Sequence, residues 1–191
     1  MAPLISPAYL TESTQQEIAL AFKRNGFIRL DQFFEGRSYL AFSQPLWDAS
    51  GKAIVIPDRH SYTLLPPSLA STPFMTPSFK KFLSTLVGKK ITTITLTVQR
   101  FGWKDYTLVH DDEVGKEELR FFFLISGKWE VERGGILTYL TQNGEGEPLF
   151  FPITGNSFCI IRQRKDMHSF VKYVNHHAGK EKFIVVAGIL T

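Results

Sequence analysis

A mainly β fold of the jelly-roll kind with helices ahead of it is what this sequence predicts. The hydrophobic period changes from helical to alternating near Ile91, and a series of turn-separated apolar runs follows. From Ile91 onward Ile94, Leu96 and Val98 share one face of a strand, and Thr93, Thr95 and Thr97 share the other. Further strands are expected over 106–113, 119–125, 135–140, 147–151, 156–162, 168–174 and 182–190, separated by turns rich in Gly, Asn, Asp or Lys. Eight short strands in one compact half pack best as two sheets, which removes most exposed edges. The 17 Phe residues concentrate in runs such as Phe121–Phe123, where flat, bulky rings fill the space between packed sheets.

Ahead of the strands the period is helical. Ser13 and Gln16 have the spacing of a capping box, Ile18, Ala21 and Phe22 form a stripe, and Asn25-Gly26 supplies a stop, predicting a helix over 13–25. A second helix begins at Thr76-Pro77, buries Phe79, Phe82, Leu83 and Leu86, and ends at Gly88. Pro45 and the stretch from Pro57 to Pro73 read as irregular connections, the longer one as a lid or binding loop. The chain is expected to form one domain over 1–191, with 1–90 as helical support and lid and 91–190 as the β core.

Of 191 residues, 43% are apolar, and 22 basic against 18 acidic residues give a net charge of +4. The basic groups Lys80-Lys81, Lys89-Lys90 and Arg162–Lys165 read as solvated turns. No RNA-binding or zinc-finger spacing accompanies them, so nucleic acid is not an expected partner. The single cysteine, Cys159, lies in an apolar run and excludes an internal disulfide, which suits a reducing compartment. Met1–Pro7 carry no basic region followed by an apolar stretch, and no window reaches the roughly 18 apolar residues of a membrane span. The expectation is an intracellular protein, cytoplasmic or, in a eukaryote, nuclear, with no membrane partner and with its oligomeric state open.

Chemistry concentrates in Tyr106–Glu113. On a strand, His110 and Asp112 would project side by side while Asp111 points away. A second imidazole would complete a set of two His and one carboxylate on one face of an octahedron, leaving open positions for a bidentate oxoacid and dioxygen at a ferrous ion. His168 is the best third ligand because it starts a predicted strand, whereas His176 and His177 lie in a turn and His60 in the Pro-rich loop. A lone His is more often a hydrogen-bonded structural residue, and an H-x-D by itself arises often by chance. A dicarboxylate held by its other end at the metal would bury a charge in the barrel, and Lys182 at the start of the last strand is the expected counter-charge. Lys180 has the same strand parity and is the reserve, and a solvated lysine pair is the bland alternative for both.

These segments together resemble the prolyl-hydroxylase branch of the 2-oxoglutarate/Fe(II) oxygenases, most of all the catalytic domain of the ribosomal-protein prolyl hydroxylases. The resemblance covers about residues 91–190 and is carried by Tyr106–Asp112, Leu119–Ile125, Trp129, Gly134–Leu137, His168 with Val171 and Val174, and Lys182. Ala21–Phe34 resembles the helix and strand that precede such a domain. It implies a double-stranded β-helix of cupin-like jelly-roll type, with iron on His110, Asp112 and His168, and 2-oxoglutarate anchored through Lys182. It further implies an O2-dependent hydroxylation that releases succinate and carbon dioxide. Two tyrosines common near the cosubstrate are Phe101 and Phe122 here, so Tyr106 or Tyr139 is the candidate replacement hydroxyl, with core packing the alternative for either. The second domain of the ribosomal-protein hydroxylases is expected to be absent. The implied substrate is a protein or peptide side chain such as proline, with a free amino acid or other small molecule as the alternative. A non-catalytic metal-binding interaction module is the alternative from another class.

Overall fold

Thr11, in extended backbone, opens the first helix. Its hydroxyl accepts a hydrogen bond from the Thr14 N–H, satisfying one of the donors that α1 (Glu12–Asn25) leaves without an intrahelical partner. The cap expected at Ser13 is therefore two residues late. Gly26, at φ 75°, ends the helix in the left-handed conformation. The helix anticipated from Thr76 is present as α4 (Pro77–Val87), with the Thr76 hydroxyl accepting from the Phe79 N–H and Phe79, Phe82, Leu83 and Leu86 buried as the stripe requires.

The computed structural model describes residues 5–109, 117–141 and 147–191. In it the stretch expected to be irregular is largely ordered. Helix α2 (Gly36–Asp48) runs through Pro45, which has no N–H to donate to the Ala41 carbonyl, and buries Phe42 and Leu46. Strands β2 (Lys52–Ile56) and β3 (His60–Leu65) form an antiparallel hairpin turned at Asp58, and α3 (Ser68–Phe74) follows.

Strand β1 (Phe27–Leu30) follows α1. The remaining strands are β4 (Ile94–Phe101), β5 (Tyr106–Thr107), β6 (Glu118–Ser126), β7 (Leu137–Thr141), β8 (Leu149–Phe151), β9 (Ser157–Gln163), β10 (Met167–Val171) and β11 (Phe183–Leu190). The major sheet runs β1-β9-β6-β11-β4-β3-β2, with β5 paired to β3, and the minor sheet runs β10-β7-β8. This is a double-stranded β-helix, and its major sheet draws β1, β2 and β3 from the N-terminal part of the chain.

Both faces of the major sheet are covered, so its central strands serve two cores. Phe121, Phe123, Phe158, Ile184 and Val186 pack toward the helices against Phe33, Phe74 and Phe79. Their neighbours Phe122, Leu124, Cys159, Phe183 and Val185 point the other way, into the space between the sheets with Leu137, Tyr139 and Phe151 of the minor sheet. Asn156 pins the segment before α2 to the turn before β9. In left-handed backbone at φ 59°, its side-chain oxygen accepts from the Phe34 N–H at 2.9 Å and its amide donates to the Phe34 carbonyl at 2.7 Å.

Candidate functional site

Between the sheets lies a cavity of about 260 Å³ whose lining on β4 and β6 follows strand alternation. Strand β4 contributes Thr95, Thr97 and Gln99, and β11 contributes Val185, Ala187 and Ile189. Arg120 and Phe122 enter from β6, Thr107 from β5, Ser169, Phe170 and Val171 from β10, and His60 and Tyr62 from β3. Thr95 and Thr97 are exposed, so the cavity is polar and open at their end. Beyond Gln99 and Val185 it closes on aromatic rings: Phe101 stacks on Phe183 with centroids 5.1 Å apart, and Trp129 meets Phe183 edge-on at 4.9 Å. Gly135 lets the preceding loop press against this plug, since a Cβ there would sit 2.6 Å from the Phe183 ring.

The cation in this lining is Arg120, whose side chain is 15% exposed and whose guanidinium pairs with Glu118 at 2.8 Å. Sequence reasoning passed it over. Its signal was a charge at the inward parity of the strand, two residues before Phe122. His60, expected in a loop, instead begins β3 and faces the cavity.

Lys182 does not lie inside the barrel, which corrects the expectation of a buried counter-charge. Phe183 takes the inward position, so Lys182 projects to the helix side. There it is exposed, and its stem crosses Gly102. Together with Lys180, Tyr39, Trp47 and Ser126 it lines a shallow outer cleft. Neither candidate tyrosine reaches the cavity: the Tyr106 ring lies 6.1 Å from that of Tyr173, and Tyr139 is core, edge-on to Phe122 and Phe151. Phe101 and Phe122 do face inward, as the comparison with tyrosine-bearing sites anticipated.

His168 is 7% exposed, and its Nδ1 has no hydrogen-bond partner among the described residues. Met167 and Val171 join the inner core, Ser169, Phe170 and Val171 all line the cavity, and His168 pairs across the ladder with Leu140 of β7. His168 itself is not among the residues that line the cavity. His110 and Asp112 lie outside the described residues, and among those described no three His, Cys, Asp or Glu side chains cluster as metal ligands. His176 and His177 sit on an exposed turn with rings 4.1 Å apart. Burial pushes the Cys159 thiol up to about 12, so it stays protonated and is not a nucleophile.

Residues 67–189, more than half of the chain, match a family model described as "Oxoglutarate and iron-dependent oxygenase degradation C-term". The chain belongs to this oxygenase family. Curated relatives are the prolyl 3-hydroxylase OGFOD1 of Mus musculus, 32% identical over 79 residues, and that of Xenopus laevis, 28% identical over 74 residues. The two matches cover 40% and 37% of this chain, and each spans 14% of the relative's length. Solved structures support the family fold. A 2OG-Fe(II) oxygenase family oxidoreductase from Burkholderia pseudomallei superposes with a TM-score of 0.71 at 9% identity, over 95% of this chain and 92% of that one. A Trichoplax adhaerens prolyl hydroxylase in complex with a hypoxia inducible factor peptide gives 0.69 at 12% identity, over 94% and 90%. A Pseudomonas putida prolyl-4-hydroxylase gives 0.69 at 8%, over 92% and 97%.

Iron and 2-oxoglutarate are the groups this oxygenase family uses, and the two fit the described residues unequally. A buried imidazole nitrogen with no hydrogen bond among the described residues is donor chemistry that a first-row divalent ion takes, so His168 fits a metal. The far carboxylate of 2-oxoglutarate finds no lysine among the described residues that line the cavity, and the end where Lys182 was expected is filled by Phe101 and Phe183.

Proposed function

We propose that this domain serves Fe(II)- and 2-oxoglutarate-dependent hydroxylation of a protein or peptide side chain, with proline as the residue that the relatives' names point to. The observation that carries the reading is a small, polar-mouthed cavity between the sheets of a double-stranded β-helix in a chain of this family. When bound, iron with 2-oxoglutarate and O2 supplies the oxidising power to hydroxylate an unactivated C–H bond. This chain's part is to hold the metal through His168 with His110 and Asp112, and to line the approach with the neutral hydroxyls of Thr95, Thr97 and Ser169. The plug of Phe101, Phe183 and Trp129 keeps water out of the far end. An intracellular, reducing setting belongs to the proposal and is supported by the buried thiol of Cys159.

A second reading is favoured by two placements: Ser169 and not His168 faces the cavity, and Phe183 and not Lys182 fills its far end. On this reading the barrel is a non-catalytic binding module that works beside an oxygenase. Anaerobic titration with Fe(II) and 2-oxoglutarate, followed by succinate release in air with and without a proline-rich peptide library, separates the two. Peptide-stimulated succinate release is the expected result, and none above the protein-free rate gives the second reading.

A further inference from the structure

We propose that the groove between the C-terminal ends of α1 and α4 docks a short acidic segment of a partner protein, one that carries a large apolar side chain between its carboxylates. The groove lies on the helix side of the major sheet, away from the cavity, and has a volume of about 390 Å³. Its floor is Leu20, Phe22, Leu86 and Val87, and Lys23 and Arg162 stand at its rim. Both helices end here, in left-handed stops at Gly26 and Gly88. The end of β9 joins them: the Arg162 N–H donates to the Gly26 carbonyl at 2.7 Å, and its guanidinium lies over the Phe22 ring at 5.6 Å.

Charge and shape define the partner. Lys23, Arg24, Lys90 and Arg162 gather at this end of the fold, all exposed. Among the described residues none of the four makes an ion pair, and no acidic residue lines the groove. Lys89 lines a neighbouring cleft with Glu117 and Glu118, so its charge is answered there. The carbonyl ends of the two helices carry about half a negative charge each, which together offset about one of the four positive charges. The remaining positive potential attracts carboxylates from outside. Within the basic rim Leu20 is 62% exposed, although Ile18 and Phe22 of the same helix are buried, and an apolar side chain seated on it gains by leaving water. Nucleic acid is the poorer match, because the ring in the lining, Phe22, is 1% exposed and lies under Arg162, which leaves no face on which a base stacks. The lining spans residues 19–23 and 85–88, about one turn of each helix, so one or two anchoring side chains fill it.

Fluorescence anisotropy of a labelled Glu-rich peptide with two leucines four residues apart, titrated with the whole protein, tests this. Saturable binding that weakens with added salt is expected. Lys23→Glu/Lys90→Glu is expected to lose roughly tenfold or more in affinity, since each exposed charge is worth up to about fivefold and reversal adds repulsion. Leu20→Ser, which leaves the charges in place, is expected to lose roughly tenfold. Lys128→Glu/Lys180→Glu makes the same change of net charge at the other end of the strands, where Ser126 pairs with Phe183, whereas Arg162 pairs with Leu119. That control should change affinity by less than about twofold. Failure of the wild type to bind, an equal loss in the control, or undiminished binding of a peptide with both leucines replaced by serine overturns the proposal. So does tighter binding of single-stranded oligouridylate that is lost in Lys23→Glu/Lys90→Glu, which would make the rim a nucleic-acid contact.

Discussion

Succinate release by the His168→Leu protein is expected to fall to the protein-free rate, while its metal-free stability holds or rises. The imidazole is buried, and among the described residues its Nδ1 has no partner; such an orphan costs the folded state its desolvation energy, about 1–3 kcal/mol. Leucine, of similar volume, removes that cost and fills the same space beside Leu140. A residue retained at a cost to stability is the mark of a ligand. The loss in iron affinity should exceed the roughly 10–100-fold that partners of ligands cost when removed, because the donor itself is gone. Melting temperature, iron titration and turnover read the three effects separately. Normal turnover with a raised melting temperature would remove His168 from the metal site and leave it as a structural residue of β10. The matching Ser169→Ala change, on the cavity face, is expected to leave iron affinity as it was.

The Asn156→Leu substitution is expected to bring the protein close to unfolding. Two buried backbone groups of Phe34 depend on the Asn156 amide, and leaving each without a partner costs about 1–3 kcal/mol. Leucine in left-handed backbone at φ 59° adds about 1–2 kcal/mol. The sum, roughly 3–8 kcal/mol, is a large part of the 5–15 kcal/mol that holds an ordinary domain together. The effect should spread, because Phe34 and its neighbour Phe33 stand at the centre of the helix-side core, Phe33 stacked on Phe158 at 4.6 Å and Phe34 tilted against Phe123 at 4.8 Å. Asn156→Gly keeps the backbone conformation accessible and should cost only the hydrogen-bond part. Urea unfolding midpoints check both. A loss under about 1 kcal/mol in the leucine variant would mean that water replaces the amide and that the pin is not structural.

What the sequence determined by itself is the content of its elements and most of their bounds. The stripe Phe79, Phe82, Leu83, Leu86 can be buried only as a helix, and Gly26 and Gly88 are the residues that tolerate the left-handed stops at φ 75° and 70°. The alternation after Ile91, the turn residues and the phenylalanine runs sufficed for a two-sheet β fold, and the matched family and solved neighbours have that fold. Helix α2 and the β2-β3 hairpin were hidden for local reasons. Pro45 normally breaks a helix, and β2 is exposed on both faces, so it carries no period of two.

Only the tertiary structure decided which way each side chain of the central strands faces. Phe183, Ile184, Val185 and Val186 are all buried, because the major sheet is covered by helices on one side and by the minor sheet on the other. With both faces apolar the alternation that would mark the inward residues is absent, and a shift of one position exchanges the faces. That is why Lys182 could be read as entering the barrel when Phe183 does, and why Arg120 was overlooked. The inward parity of a strand packed on both sides is a property of the layers around it, and it exists only once those layers have assembled.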